Sequence, residues 1–404
     1  MAELFPQDDY VYDDAPHAPE TAQEYITVDD SGDKPFSGKP GSSSRLVGLE
    51  AQEQTLLKMF NENKVPHAIM LTGPRGTGKG TLARKLAEVR LAHVDNSVYE
   101  GPSLFEPTPP KETKLQNLDL SPAHPVAQRI RNGAHPDFLM IGAENPEEGT
   151  RTSGRILVDD VRKVVTFMQL KPSQENGWRV VLIDNANRMN RAAQNALLKV
   201  LEEPPPRTLL ILVTHQAGAL LPTIRSRVHN ILFHPLSNEN FDTALRQTGV
   251  RVTGTDAVWV RALADNCPGQ ALEFAEAENL ACIQKFFGLW ADFPNVQDPD
   301  WTLFAESLGA TGIPDEAFRF VAQLWVWWLA QMIRAKNDPV ARTALSDLLG
   351  QEGAGALRVM EGLSLGTLLA VYDQTRDLFT RTLDLALEKR QAILSARMWL
   401  TERA

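Results

Sequence analysis

The stretch Gly73-Pro74-Arg75-Gly76-Thr77-Gly78-Lys79 has the residue types and spacing to hold a phosphate. Its glycines let backbone N–H groups wrap an anion, and the Thr81–Ala87 helical pattern that follows adds the positive end of a helix. Lys79 is spaced to reach terminal phosphates. Phosphoryl chemistry also needs a metal ligand and a group that orients water, and here the sequence is ambiguous. The residue after the lysine, where a Ser or Thr hydroxyl usually ligates Mg²⁺, is Gly80, with Thr81 one position late. Downstream, Arg179–Ile183 reads as an apolar strand ending in Asp184, a second candidate metal ligand. The next residue is Asn185, which cannot accept a proton from water. Gly73, Gly76, Gly78, Lys79, Gly80, Thr81 and Asp184 therefore form a candidate nucleotide site with weakened chemistry. ATP is the expected ligand if one binds, and hydrolysis is not expected.

These groups need a parallel sheet to bring them together. Ala68–Thr72, Asp137–Ile141, Val180–Ile183 and Leu209–Val213 are short apolar runs suited to buried parallel strands. Between them, Val161, Val164, Val165 and Met168 mark one helical face, and Met189, Ala193, Leu197 and Leu201 mark another. Residues 93–126 interrupt the pattern with prolines and read as an insertion or long surface loop. After Pro235 helical periodicity takes over. Its most apolar helix carries Trp325, Trp327 and Trp328 beside Phe318 and Phe320, a surface for the inside of a helical bundle or for a subunit interface.

The whole chain has 404 residues, enough for two or three domains. Its 41 bases and 51 acids give a formal charge of −10, and residues 1–45 alone hold ten acids against three bases. Residues 1–41 are expected to form a disordered acidic tail, with an aromatic partner-binding motif around Tyr10 and Tyr12 as the alternative. No basic stripe supports DNA binding by the chain alone. No apolar run is long enough for a membrane span and no secretory leader is legible, so a cytoplasmic location is expected. Cys267 and Cys282 are the only cysteines and suit buried thiols.

From Arg179 to Val228 the sequence resembles the AAA+ clamp-loader subunits of bacterial DNA polymerase III. The segments carrying this are Asn195-Ala-Leu-Leu-Lys-Val-Leu201-Glu202-Glu203-Pro204-Pro205, Leu209–Thr214 and Thr223-Ile-Arg225-Ser226-Arg227. Val47-Gly48-Leu49-Glu50, His67-Ala68 and His135-Pro136-Asp137 add to it, so that the likeness covers roughly residues 46–275 outside the insertion.

The resemblance implies an α/β P-loop AAA+ domain over 42–235, a small helical lid over 236–285 and an all-α collar-like domain over 286–404. It also implies that Arg227, with Ser226, is an arginine finger acting in trans on a neighbour's ATP site. Thr214 and His215 fall at the nucleotide-sensor position, or are ordinary polar residues at a strand end. ATP-hydrolysing tau/gamma subunits carry a Mg²⁺-ligating hydroxyl, a Walker B glutamate and a sensor arginine, against which this chain has Gly80, Asn185 and Gly269. That combination resembles the delta-prime subunits, which are not catalytic alone but belong to the polymerase holoenzyme.

The implied partners are tau/gamma and delta subunits, the sliding clamp, and primed DNA through the complex, with no membrane. Many delta-prime proteins carry a four-cysteine zinc module after the P-loop helix. Residues 93–126 contain no cysteine, so no zinc is expected. The alternatives are an active tau/gamma-like ATPase and, from the adenylate-kinase-like run Gly78-Lys79-Gly80-Thr81, a nucleotide kinase.

Overall fold

The computed structural model describes residues 46–93, 115–142, 155–174, 177–250, 252–291, 298–309, 315–349 and 354–401. The expected acidic tail and most of the expected insertion lie outside these residues.

Helix α1 (Glu50–Asn61) leads into strand β1 (Ala68–Thr72), which feeds the glycine loop and helix α2 (Lys79–Ala92). Short α3 (Pro125–Arg131), β2 (Phe138–Ile141), α4 (Val158–Gln169), β3 (Arg179–Ile183), α5 (Arg191–Glu202) and β4 (Thr208–Thr214) follow. Four-residue α6 (Pro222–Arg225) then precedes β5 (His229–Leu232). The five strands form one sheet in the order β2-β3-β4-β1-β5, with every neighbouring pair parallel.

Every residue of β1, β3 and β4 is buried, because helices cover both faces of the sheet and each strand can be apolar throughout. Alternate residues divide between the faces. Ile69, Leu71, Val180, Leu182 and Ile211 join Leu82 and Leu86 of α2, while Met70, Val181, Ile183, Leu210 and Leu212 join Val161 and Val164 of α4 and Leu197 of α5.

Strand β5 was not expected from sequence. Only Ile231 of its four residues is buried, so it has no apolar run to read. Met189 also departs from the expected helical face. It is buried with Ala193, Leu197 and Leu201, but its backbone is extended (φ −65°, ψ 127°) and α5 begins two residues later.

The described end of the 93–126 segment is not a free loop. Leu118 is buried in the core, Asn61 exchanges hydrogen bonds with Leu115 (2.8 and 3.0 Å), Lys85 pairs with Asp119, and α3 begins at Pro125.

Helices α7 (Asn238–Thr248), α8 (Gly254–Ala264) and α9 (Pro268–Phe274) make the lid. Helix α10 (Ala277–Ala291) runs through residue 285 into the helical half. There it is joined by α11 (Asp298–Gly309), α12 (Asp315–Asn337), α13 (Pro339–Leu349), α14 (Ala354–Gly362), α15 (Leu365–Asp384) and α16 (Lys389–Thr401). The architecture is an AAA+ core followed by a helical lid and a collar-like bundle. Trp325 and Trp328 are fully buried inside that bundle, with the Trp328 ring 4.2 Å from Trp290 and the Trp325 ring 5.5 Å from Trp301. Their aromatic surface is spent on internal packing, and Trp327 is half-buried beside it. Among the described residues no helix is long and apolar enough to cross a membrane.

Candidate functional site

The sheet register gathers the candidate residues at the carboxyl ends of its middle strands. Thr72 pairs with Thr214, and Ile183 with Leu212, so the glycine loop, Asp184 and His215 leave the sheet side by side. Gly73 has φ +139°, and a Cβ there would lie 2.2 Å from the carbonyl oxygen of Phe233, so only glycine fits this turn. Gly78, at φ +90°, leads into α2.

Lys79 is 3% exposed. Its Nζ donates to the carbonyls of Gly73 (2.7 Å) and Pro74, and to Thr77 Oγ1 at 3.3 Å. Burial lowers its ammonium to about 8, with Asp184 among the groups acting the other way. The charged form still dominates at neutral pH, fixed where a phosphate would meet it.

A cavity of about 620 Å³ opens beside this lysine. Gly76, Gly78, Lys79, Gly80, Thr81 and Asp184 line it together with Asn185 and His215. Leu46, Val47, Leu49, Leu236, Ala244 and Val250 add an apolar wall from the start of the core and from the lid. Gly73 supports the site from behind through the Lys79 contact. The loop and cavity fit the phosphates and body of a nucleotide: backbone N–H groups and Lys79 would hold the charge, and the apolar wall would take the base.

The metal end fits less well. A Cβ on Gly80 would meet nothing within 4 Å, so the missing hydroxyl leaves open space. Thr81 sits about 100° further round α2. Burial raises the Asp184 carboxyl above its usual range, opposed by the backbone N–H of Asn185 (2.8 Å to Oδ1) and by Lys79. Where a water-orienting carboxylate would stand, Asn185 occupies the left-handed region at φ 52°, ψ 45°. Its Oδ1 lies 2.5 Å from His215 Nε2.

Burial, then Lys79, Arg75 and Arg188, push His215 down to about 4, so the ring is neutral and Nε2 carries the proton that Asn185 accepts. Thr214 Oγ1 and the His215 N–H reach Asn187 Oδ1 at 3.3 and 3.4 Å. Both sensor-position residues are thus committed to the two asparagines that follow β3. The sequence displayed these residues separately but gave no sign of the pairing, which depends on strand register.

Ser226 and Arg227 do not line the cavity. They lie between α6 and β5, where Arg227 Nη1 donates to the Thr223 carbonyl (3.1 Å) and Nη2 pairs with Glu202 Oε1 at 3.1 Å. The Arg227 side chain is 38% exposed and its partner 51%, a pair that water screens.

A family model described as "DNA polymerase III, delta subunit" matches residues 114–237. DNA polymerase III subunit delta′ of Pseudomonas aeruginosa is 37% identical over 161 residues, covering 40% of this chain and 41% of that one. Subunit gamma of Buchnera aphidicola is 27% identical over 208 residues, covering 52% and 49%. The chain spans half or less of the length of these curated relatives. Among solved structures, a DNA polymerase III gamma subunit-related protein from Thermotoga maritima aligns over 87% of this chain and 98% of its own at 18% identity, with a TM-score of 0.40.

Proposed function

We propose that this chain, an AAA+ protein of the bacterial clamp-loader family related to its delta-prime, gamma and tau subunits, acts in DNA replication as a delta-prime subunit. In this reading it hydrolyses little or no ATP itself and supplies Arg227 to the ATP site of a tau/gamma neighbour. Its other partners are delta, the sliding clamp and, through the assembly, primed DNA, all in the cytoplasm. The lid over 236–285 and collar over 286–404 belong to the same reading.

The observation that carries it is the division of labour between two places. Inside the cleft the phosphate-holding frame is complete, while Gly80 and the His215-bound Asn185 occupy the positions that metal and water would need filled. Outside the cleft a guanidinium stands exposed, held by a surface carboxylate and by Thr223 and Ser226 of its own turn. A fingertip must be exposed to enter a neighbour's site, and there its charge would meet a developing phosphoryl transition state in a setting that water screens poorly.

The test is reconstitution with the host's tau/gamma and delta subunits, followed by stoichiometry and DNA-stimulated ATPase for wild type, Arg227→Ala and Arg225→Ala. Selective loss in Arg227→Ala, at equal complex composition, is the expected result. Equal effects from both arginines would make Arg227 structural.

One observation favours the second reading, an active tau/gamma-like subunit: Lys79 is held in the lining of a nucleotide-sized cavity. ATP turnover by the isolated chain that Lys79→Ala abolishes would establish that reading.

A further inference from the structure

The lid meets the glycine loop backbone to backbone. The Gly269 N–H, at the start of α9, donates to the Gly76 carbonyl at 2.8 Å. A Cβ on Gly269 would lie 2.8 Å from Gly76 Cα, and a Cβ on Gly76 would lie 2.5 Å from the Gln270 nitrogen. Neither position can carry a side chain without moving the lid from the loop. Two side chains flank the contact: Gln270 Nε2 donates to the Arg75 carbonyl at 3.0 Å, and Glu273 Oε2 pairs with Arg75 Nη2 at 3.3 Å. Further along, the Leu236 N–H donates to the Asn266 carbonyl at 3.0 Å, tying the exit of the core to the same end of the lid.

From this we infer that the lid of this chain is latched shut on its own glycine loop, so that lid closure does not depend on nucleotide. A lid that closes over a ligand is moved by the contacts the ligand makes with both parts, and its position then reports occupancy. Here protein groups span the same gap directly. A ligand that leaves those contacts unchanged has no closure free energy left to supply, and the cleft cannot act as a switch whatever it binds. The inference concerns the same cleft as the proposed function but stands or falls separately from the role of Arg227.

Amide hydrogen exchange on the full-length chain tests it, with ATP·Mg²⁺ as the probe. In wild type, exchange over residues 73–79 and 267–271 should be slow, and ATP·Mg²⁺ should leave residues 267–271 unchanged even where bound phosphate protects amides of the loop. Gly269→Ala should speed exchange in both segments by about tenfold or more. Alanine suits a helical position better than glycine, so the variant attacks the contact and not α9 itself. Gly288→Ala on α10, where a Cβ meets open space, is the control and should change neither segment.

Slowing of wild-type exchange over residues 267–271 on adding ATP·Mg²⁺ would mean that nucleotide closes the lid and would overturn the inference. So would a Gly269→Ala profile matching wild type. If Gly269→Ala does not fold, the double variant Gln270→Ala/Glu273→Ala, which removes only the flanking arms, decides: faster exchange in the same two segments supports the latch, and an unchanged profile overturns it.

Discussion

The cleft around Lys79 and the rim around Arg227 are built in opposite ways. Every group in the cleft is positioned by something rigid: strands buried along their whole length, a turn that admits only glycine, and a lysine held by two carbonyls. The rim arginine is held by one carbonyl, one hydroxyl and one exposed carboxylate. Yet the cleft lacks a hydroxyl directly after its lysine and a carboxylate directly after Asp184, and the rim has its full cation. Preorganisation and chemical competence are therefore separable. A frame of this kind is also the fold's own core, so it persists for stability whether or not it catalyses, whereas an exposed cation gains nothing for the fold.

The contrast breaks most visibly in activity. Arg227→Ala should remove on the order of 10³ in rate at the one site it is proposed to serve, read as a partial fall in total ATPase because other sites in the assembly still turn over. The melting temperature of the isolated chain should hardly move, since an exposed ion pair contributes about 0–1 kcal/mol. A large loss of stability in this variant would place Arg227 with the cleft and erase the distinction.

Next in size is Asn185→Glu. Asn tolerates the left-handed backbone that Asn185 adopts and Glu does not, so restoring a carboxylate should cost about 1–2 kcal/mol in urea unfolding. The new carboxylate would also meet His215, whose Nε2 now faces Asn185. An Asn185→Glu chain that is as stable as wild type and hydrolyses ATP would show that the cleft is one substitution from activity.

A smaller effect is one of pH. His215 titrates in the fold near 4, below its ordinary 6.5, so the unfolded chain takes up a proton that the folded chain refuses. Stability from this group is therefore undiminished above about pH 6.5 and declines as pH falls toward 4. Urea midpoints at pH 7 and pH 5 should differ less in His215→Gln than in wild type. Part of the decline should remain, because burial also lowers His135.

The smallest effects sharpen the comparison by their absence. Gly80→Ser fills open space and should leave stability within about 0.5 kcal/mol of wild type. The isolated chain should hydrolyse ATP no faster than Lys79→Ala.

How much of this was legible depends on burial. β1, β3 and β4 could be read almost to the residue, because strands covered on both faces are uninterrupted runs of apolar side chains. His229–Leu232 could not, because three of its four residues are exposed at the sheet edge. The spacing of four from Met189 to Leu201 continued the periodicity past the true helix start, since burial at a cap looks the same as burial on a turn. The phosphate loop was legible as a motif. The Asn185–His215 bond was not, because register across β3 and β4 brings the two together. The lid contact left no trace, because its members are glycines and a backbone bond has no side-chain signature.

Strand β5 makes the molecule intolerant of length change at one point. Arg227 is two residues before it, and one residue beyond it the Phe233 N–H donates to the Thr72 carbonyl at 2.7 Å while its own carbonyl packs against the Gly73 turn. About 20 Å of extended chain thus joins the rim to the base of the glycine loop. Inserting or deleting one residue between Val228 and Leu232 would turn Ile231 from the core to solvent and take Phe233 out of step with Thr72. A frameshift of a single pairing would damage both regions at once, whereas substitutions can tell them apart.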